Sequence, residues 1–165
     1  KDIKREKNIL SVVNCFKLRS KLLGFSNWER VSSVVPCKLI GHGNEDISKN
    51  IKEADSFESL INIYNSSYAY LNTTTESAMP RSRAEAMMCG LPIITTNNYD
   101  ISKYLDHKKT CLFANSYQEM IECSKMILDN DDLRLELSEK SRECAIKHFN
   151  IKDYLDKWNN VISLI

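Results

Sequence analysis

Carboxylate, guanidinium and hydroxyl side chains occur close together between Glu76 and Glu85. The glutamates are separated by the eight residues 77–84, which include Arg81 and Ser82. The loop from Glu76 to Ser82 is predicted to open a helix at the carboxyl end of a strand, where free backbone N–H groups favour phosphates. A ligand with two phosphates needs cations in addition, and Arg81 is a candidate for this role.

Pro80 and Gly90 set the ends of the predicted helix in this segment. Proline is tolerated at the first helical position because its missing N–H would have no partner there. Glycine readily adopts the left-handed conformation that ends a helix. The sequence therefore predicts a helix from about Pro80 to Cys89, followed by a strand over residues 91–96.

The apolar pattern within this helix predicts which side faces the core. Ala84, Met87 and Met88 recur at steps of three and four residues and are expected to face inward. This orientation leaves Arg81 and Glu85 on the more polar side, pointing towards the edge of the sheet.

Strand-length apolar runs alternate with helical patterns along the whole chain. Strands are predicted at 8–14, 37–40, 67–72, 91–96 and 110–113. Helices are predicted at 25–35, 57–64, 80–89, 100–105, 117–128 and 133–148, and a polar turn at 17–24. This alternation is typical of an α/β fold, and we expect a doubly wound, Rossmann-like parallel sheet with helices on both faces.

The last segment carries the most regular apolar stripe of the chain, formed by Ile151, Tyr154, Leu155, Trp158, Val161, Ile162 and Ile165. One interpretation is a helix that packs on its own domain, and the other is a surface that a neighbour covers. We divide the chain into a domain at 1–150 and a C-terminal helix at 151–165.

Composition restricts the classes of partner. Lys and Arg number 23 against 22 Asp and Glu, so the near-neutral balance gives no support for nucleic-acid binding. The six cysteines form no Cys-x-x-Cys pair and accompany no histidine cluster, which favours reduced thiols in a cytoplasmic protein over disulfides or a metal site. No apolar run approaches the ~18 residues of a transmembrane helix.

The run Glu85-Ala86-Met87-Met88-Cys89-Gly90-Leu91-Pro92-Ile93-Ile94 resembles the donor-binding signature of retaining glycosyltransferases with two Rossmann-like domains, the GT-B architecture. Met79-Pro80-Arg81-Ser82 is similar to the loop of the capsule and lipopolysaccharide members. The family separates its two glutamates by seven residues and places a glycine after the first. Here eight residues separate them and Ser77 occupies the formal position of the first glutamate.

The resemblance implies roles for particular residues. Glu85 would accept hydrogen bonds from the ribose hydroxyls of the donor, and Glu76 would be the catalytic carboxylate facing the transferred sugar. Arg19 and Lys21 would bind the diphosphate, although ordinary solvated charges are an equal alternative. His42 would lie near the nucleotide base, or be a turn histidine with no role.

Four neighbours in the signature complete the candidate donor site. Met79, Arg81 and Ser82 belong to the matching loop, and Arg83 is a further candidate cation.

The resemblance implies the C-terminal half of a GT-B enzyme that transfers a hexose, with retention, from a nucleotide sugar to an acceptor glycan or lipid-linked glycan. We expect a UDP- or GDP-linked donor, no cofactor and no metal. Acceptor contacts would come from an absent N-terminal domain, so this chain alone should turn over little. The alternatives are an epimerase of the nucleotide-sugar 2-epimerase type and a non-catalytic interaction module. We also expect peripheral membrane association of the full-length protein and self-association through the C-terminal helix.

Overall fold

The computed structural model describes residues 4–49, 51–77 and 80–164. Within these ranges the chain forms one sheet of five parallel strands in the order β2-β1-β3-β4-β5. The strands are β1 (Ile9–Val12), β2 (Cys37–Ile40), β3 (Ala69–Asn72), β4 (Ile93–Thr95) and β5 (Leu112–Phe113). The strand order reverses between β1 and β3, which confirms the doubly wound α/β fold predicted from the alternating pattern.

Seven helices connect and follow these strands in the described ranges. They are α1 (Ser20–Leu23), α2 (Phe25–Ser32), α3 (Phe57–Ser66), α4 (Arg81–Met88), α5 (Tyr117–Asp129), α6 (Asp131–His148) and α7 (Ile151–Ile162). A 3₁₀ turn at Ile101–Lys103 lies where the sequence predicts a short helix. None of these helices is both long and apolar enough to cross a membrane.

Two apolar clusters fill the two faces of the sheet. Trp28 of α2 and Met120 of α5 belong to one cluster, whereas Tyr64 of α3 and Met87 of α4 belong to the other. Helix α6 contributes to both, because Leu137 lies in the first cluster and residues 144–145 lie in the second. The helices therefore cover both faces, as a parallel sheet requires.

Residues 17–24 differ from the predicted polar turn, since they include the single-turn helix α1. Helix α1 ends at Gly24, whose backbone is left-handed with a φ of 72°. A Cβ atom at this position would overlap the carbonyl oxygen of Thr73. Gly24 thus permits both the turn into α2 and the close approach of the loop that follows β3.

Helix α4 begins one residue later and ends one residue earlier than predicted, and it faces the core differently. Gly90 is left-handed with a φ of 67°, while Pro80 is the N-cap residue rather than the first helical residue. The buried residues are Arg83, Ala86 and Met87, so the predicted inward face was wrong at Ala84 and Met88. The buried stripe differs from the predicted one because it contains the charged residue Arg83, and a search for apolar residues alone excludes such a residue.

Helix α7 contacts little of the rest of the fold. Each apolar member of its stripe up to Ile162 is exposed by 50–68%, including Trp158 at 51%. The interpretation in which this helix packs on its own domain is therefore wrong for the described residues.

Candidate functional site

A cleft of about 750 Å³ opens at the carboxyl ends of β1, β2 and β3. The last residues of these strands, Val12, Ile40 and Asn72, line its floor. The cleft lies over the ends of the neighbouring strands β1 and β3. The chain leaves β1 towards one face of the sheet and leaves β3 towards the other face. Ligands of doubly wound α/β proteins bind at such a topological switch point.

The start of α4 forms one wall of the cleft. Pro80, Arg81, Ser82 and Glu85 line this wall. The N-cap Pro80 makes no side-chain capping bond, so the first backbone N–H groups of α4 have no such partner from their own cap. These groups carry partial positive charge and can bind an anionic ligand together with the Arg81 guanidinium.

The β1–α1 connection forms a second wall, to which Asn14 and Arg19 contribute. Its shape depends on Asn44, which is 1% exposed and lies in the loop after β2. Asn44 Nδ2 donates to the carbonyl oxygens of Val13 (2.8 Å) and Gly41 (2.9 Å), and its Oδ1 accepts from the Phe16 N–H (2.8 Å). One buried amide therefore joins the loops that follow β1 and β2.

The loop after β3 is held between α1 and the loop after β4. The Thr73 hydroxyl donates to the Leu23 carbonyl oxygen (2.7 Å), and the Thr75 N–H donates to the Leu22 carbonyl oxygen (3.0 Å). Asn98 Nδ2 donates to the carbonyl oxygens of Thr74 (3.0 Å) and Thr75 (2.9 Å). These bonds fix where the chain enters the wall formed by α4.

Glu85 is half-buried at the cleft and has one defined partner. Its Oε2 accepts a hydrogen bond from the Tyr64 hydroxyl (3.0 Å), and no described residue forms a salt bridge with it. The pair with Arg81 that helical spacing would allow is therefore not formed. Glu85 Oε1 and the remaining lone pair of Oε2 can accept hydrogen bonds from a ligand.

Glu76 lies outside the cleft in this structure. Its carboxylate is exposed and accepts a hydrogen bond from the Tyr99 hydroxyl (2.7 Å), which raises the pKa of Tyr99. The next residue, Ser77, lines the cleft instead. The eight-residue separation from Glu85 thus places a hydroxyl where the seven-residue separation of the family would place a carboxylate. The catalytic role of Glu76 remains a prediction.

The remaining candidates divide according to their position. Arg19, Arg81 and Ser82 line the cleft with Glu85. Lys21 and His42 are exposed and do not line it, and His42 Nδ1 lies 3.7 Å from Glu53 Oε2.

Two other candidates do not contribute a described side chain to the cleft. Arg83 is 1% exposed and its Nη1 donates to Thr95 Oγ1 (3.2 Å), so it is a core residue; burial lowers its pKa to about 10. Met79 lies outside the described residues.

Sequence reasoning missed two residues that shape the site, namely Tyr64 and Asn44, whereas it had already given Ser77 as the residue in the formal position of the first glutamate. Tyr64 belongs to an apolar helical stripe, and nothing in that stripe indicates which residue its hydroxyl group contacts. Asn44 follows Gly41-His42-Gly43, in a segment whose pattern indicates only a turn. An amide beside a glycine turn at a strand end is the signal that could have indicated a loop contact.

A smaller and more apolar groove of about 490 Å³ adjoins the cleft and shares Phe57, Arg81 and Glu85 with it. Across the described residues there is no group of three or more His, Cys, Asp or Glu side chains placed to hold a metal ion.

Comparison with known proteins supplies a family and a fold. A family model described as glycosyl transferase-like matches residues 12–160. A curated relative from Haemophilus influenzae, an uncharacterized glycosyltransferase, is 25% identical to this chain. The alignment is 173 residues long and covers 94% of this chain and 49% of the relative.

Solved structures agree at lower identity. A mutant of Staphylococcus aureus TarM, in complex with fondaparinux, alpha-GlcNAc-glycerol and UDP, superposes with a TM-score of 0.76 at 18% identity, covering 97% of this chain and 36% of that one. The C-terminal domain of a glycosyl transferase group 1 family protein (LpcC) from Francisella tularensis has a TM-score of 0.70 at 12% identity, covering 90% of this chain and 89% of that one. These similarities show the fold, which is a Rossmann-like half of the GT-B architecture.

Proposed function

The chain belongs to the glycosyl transferase-like family, and from this premise we propose that it binds the nucleotide-sugar donor of a hexosyltransferase. The chain spans about half the length of the curated relative and about a third of the TarM chain. The complete reaction, including acceptor binding, is therefore proposed for a longer protein of which this chain is the donor-binding part.

The observation that carries this proposal is the pairing of cations and an anchored carboxylate in one cleft. Arg19 and Arg81 line the cleft, and α4 begins there without a capping bond from the side chain of its N-cap residue, Pro80. Glu85 lines the same cleft, and its Oε1 and the remaining lone pair of its Oε2 can accept hydrogen bonds from a ligand. A diphosphate requires the first set of groups and a ribose diol requires the second.

The dimensions of the cleft also fit a ligand of this class. Its volume of about 750 Å³ falls within the ordinary range of roughly 300–1,000 Å³ for small-molecule sites. Apolar side chains, including Phe57 and Leu60, line the side near α3 and could pack against a base. UDP is a ligand of the similar TarM structure, which supports a UDP-linked donor, and GDP is the second candidate.

We propose that the diphosphate is neutralised by Arg19, Arg81 and the α4 N-terminus without a divalent metal. Two cationic side chains and a helix end can offset the charge that a metal would otherwise balance. The proposal extends to transfer with retention to a glycan or lipid-linked glycan, which rests on the signature around Glu85. It extends also to a cytoplasmic location, which rests on the six cysteines that form no Cys-x-x-Cys pair.

A second candidate function is a non-catalytic module that binds the donor or a related nucleotide. The specific observation that favours it is the position of Glu76, whose carboxylate bonds to Tyr99 while Ser77 lines the cleft. A carboxylate facing the sugar stabilises the positive charge that develops as the glycosidic bond breaks, and a serine hydroxyl does this less well. The two functions differ in turnover and not in nucleotide binding.

Isothermal titration calorimetry with UDP, GDP, ADP and CDP, and with their sugar conjugates, tests the proposal. We expect the ligands that carry one of these bases to bind with a Kd between micromolar and millimolar, and we expect this Kd to stay the same when EDTA is added. Arg19→Ala should weaken that binding, and Lys21→Ala is the matched control because Lys21 is a nearby cation that does not line the cleft. Absence of heat for every nucleotide, with a folded chain, would contradict the proposed function.

A further inference from the structure

A buried tyrosine lies directly beneath the candidate ribose-binding carboxylate. Tyr64 of α3 is 1% exposed, and its ring packs against the Tyr70 ring with centroids 6.2 Å apart. Its hydroxyl lies 3.0 Å from Glu85 Oε2 and 3.3 Å from the Ser82 carbonyl oxygen. Among the described residues, the group that bonds to the Glu85 carboxylate therefore belongs to the core.

The Tyr64 hydroxyl has one proton and two acceptors within reach. The carboxylate is charged and is the nearer acceptor, so it takes the proton in preference to the neutral carbonyl oxygen. Burial, with the neighbouring Tyr70 and Glu85, raises the pKa of Tyr64, so the hydroxyl keeps its proton throughout the physiological range. Tyr64 thus acts as a permanent donor to one oxygen of Glu85.

This contact limits the freedom of a flexible side chain. A glutamate on a helix surface samples several rotamers, and ordering it on ligand binding costs free energy. A bond from a rigid, buried ring holds the carboxylate in one orientation before the ligand arrives. Binding then loses less entropy, and the free oxygen faces a fixed direction.

We propose that Tyr64 is a positioning residue that orients the Glu85 carboxylate towards the ribose hydroxyls of the bound nucleotide. The inference deepens the proposed function and rests on it, because it assumes that Glu85 contacts the ribose. Tyr64 does not itself line the cleft and acts only through Glu85.

Tyr70 provides a matched control for the hydroxyl. It is also a fully buried tyrosine on the same side of the sheet, and its hydroxyl donates to Ser82 Oγ (2.8 Å). Its contact reaches the same first turn of α4 but not Glu85. A purely structural effect on α4 would follow from either hydroxyl, whereas an effect through the carboxylate would follow from Tyr64 alone.

The test compares Tyr64→Phe and Tyr70→Phe by calorimetry with the two tightest-binding of UDP, GDP, ADP and CDP and with their 2′,3′-dideoxy counterparts. Phenylalanine keeps each ring in place, and thermal unfolding checks that both variants fold. We expect Tyr64→Phe to weaken binding of the tighter-binding diphosphate about 3- to 30-fold. Its effect on the dideoxy ligand, which lacks the hydroxyls that Glu85 accepts from, should be less than about twofold. Tyr70→Phe should change the affinities for the two ligands by equal factors.

A double-mutant cycle keeps the inference testable if Tyr64→Phe lowers stability. In the Glu85→Ala background the carboxylate is absent, so adding Tyr64→Phe should produce no further loss of affinity. An equal loss for ribose and dideoxyribose ligands, or the same Tyr64→Phe effect with and without Glu85, would overturn the positioning role. If the unmodified chain bound none of UDP, GDP, ADP and CDP, the proposed function would fail first, and this inference would fall with it.

Discussion

Replacement of Glu85 by alanine is the perturbation that should affect donor binding most specifically. The carboxylate lines the cleft, and its one described bond, from Tyr64, leaves the other oxygen free for a ligand. Hydrogen bonds to a charged acceptor contribute about 1.5–3 kcal/mol, so the dissociation constant of the diphosphate should rise about 12- to 160-fold.

The same substitution should cost little stability. Glu85 is half-buried, and the Tyr64 hydroxyl would retain the Ser82 carbonyl oxygen at 3.3 Å as an acceptor. Because no buried donor loses its only partner, we expect the free energy of unfolding to fall by no more than about 1 kcal/mol. A loss of binding would therefore report on the site rather than on unfolding.

Calorimetry with UDP and GDP measures the affinity, and thermal unfolding in parallel measures the stability. Glu136→Ala is the control, because it removes an exposed carboxylate from α6, away from the cleft. The control should bind like the unmodified chain. A folded Glu85→Ala variant with unchanged affinity would refute the assignment of Glu85 to the site.

The remaining predictions concern the phosphate contacts, the loops and the last helix. Arg19→Ala should weaken binding of a nucleoside diphosphate by about 1–2 kcal/mol without weakening binding of the nucleoside, and the loss should shrink as the salt concentration rises. Calorimetry that showed equal losses for both ligands, or an equal effect of Lys21→Ala, would contradict this prediction. Asn44→Ala removes three hydrogen bonds and should lower the free energy of unfolding in urea by about 2–4 kcal/mol; a change below about 0.5 kcal/mol would mean that the loops do not depend on this amide. The isolated chain should self-associate through α7 at high concentration, because burying one side chain such as Trp158 contributes roughly 1.5–3 kcal/mol. The variant carrying both Trp158→Ser and Ile162→Ser should sediment as a monomer, and identical sedimentation of variant and parent would exclude α7 as the contact.

The elements of the fold could be predicted because their signals are local. Strand β2 occupies residues 37–40 as predicted, between Pro36 and Gly41, which mark both of its ends. Gly90 likewise marks the end of helix α4, whose last residue, Met88, lies two positions before it. Alternating strands and helices then restrict the topology to a parallel sheet.

The face of α4 could not be predicted from apolar spacing alone. Arg83 has the most polar side chain of its stripe and is nevertheless 1% exposed, with a hydrogen bond to Thr95 in the next strand. Thr95, one partner of the buried guanidinium, lies outside the helix, so a pattern within the helix carries no information about it.

The candidate site depended on contacts between distant parts of the chain. Glu76 bonds to Tyr99, which is 23 residues away, and Asn44 bonds to Val13, which is 31 residues away. Glu85 lines the cleft, and so does Ser77, the residue that the spacing put in the formal position of the first glutamate. The sequence did not show that the Glu76 carboxylate would turn away towards Tyr99. That outcome is set by how the loop after β3 packs on α1 and Asn98.

A crystal structure of the chain with the nucleoside diphosphate that binds most tightly in calorimetry tests the central claim most directly. We predict the ribose hydroxyls within hydrogen-bond distance of Glu85 and the phosphates beside Arg19, Arg81 and the start of α4. A nucleotide seated only in the adjoining groove between α3 and α4, or with its ribose beyond the reach of Glu85, would contradict the account.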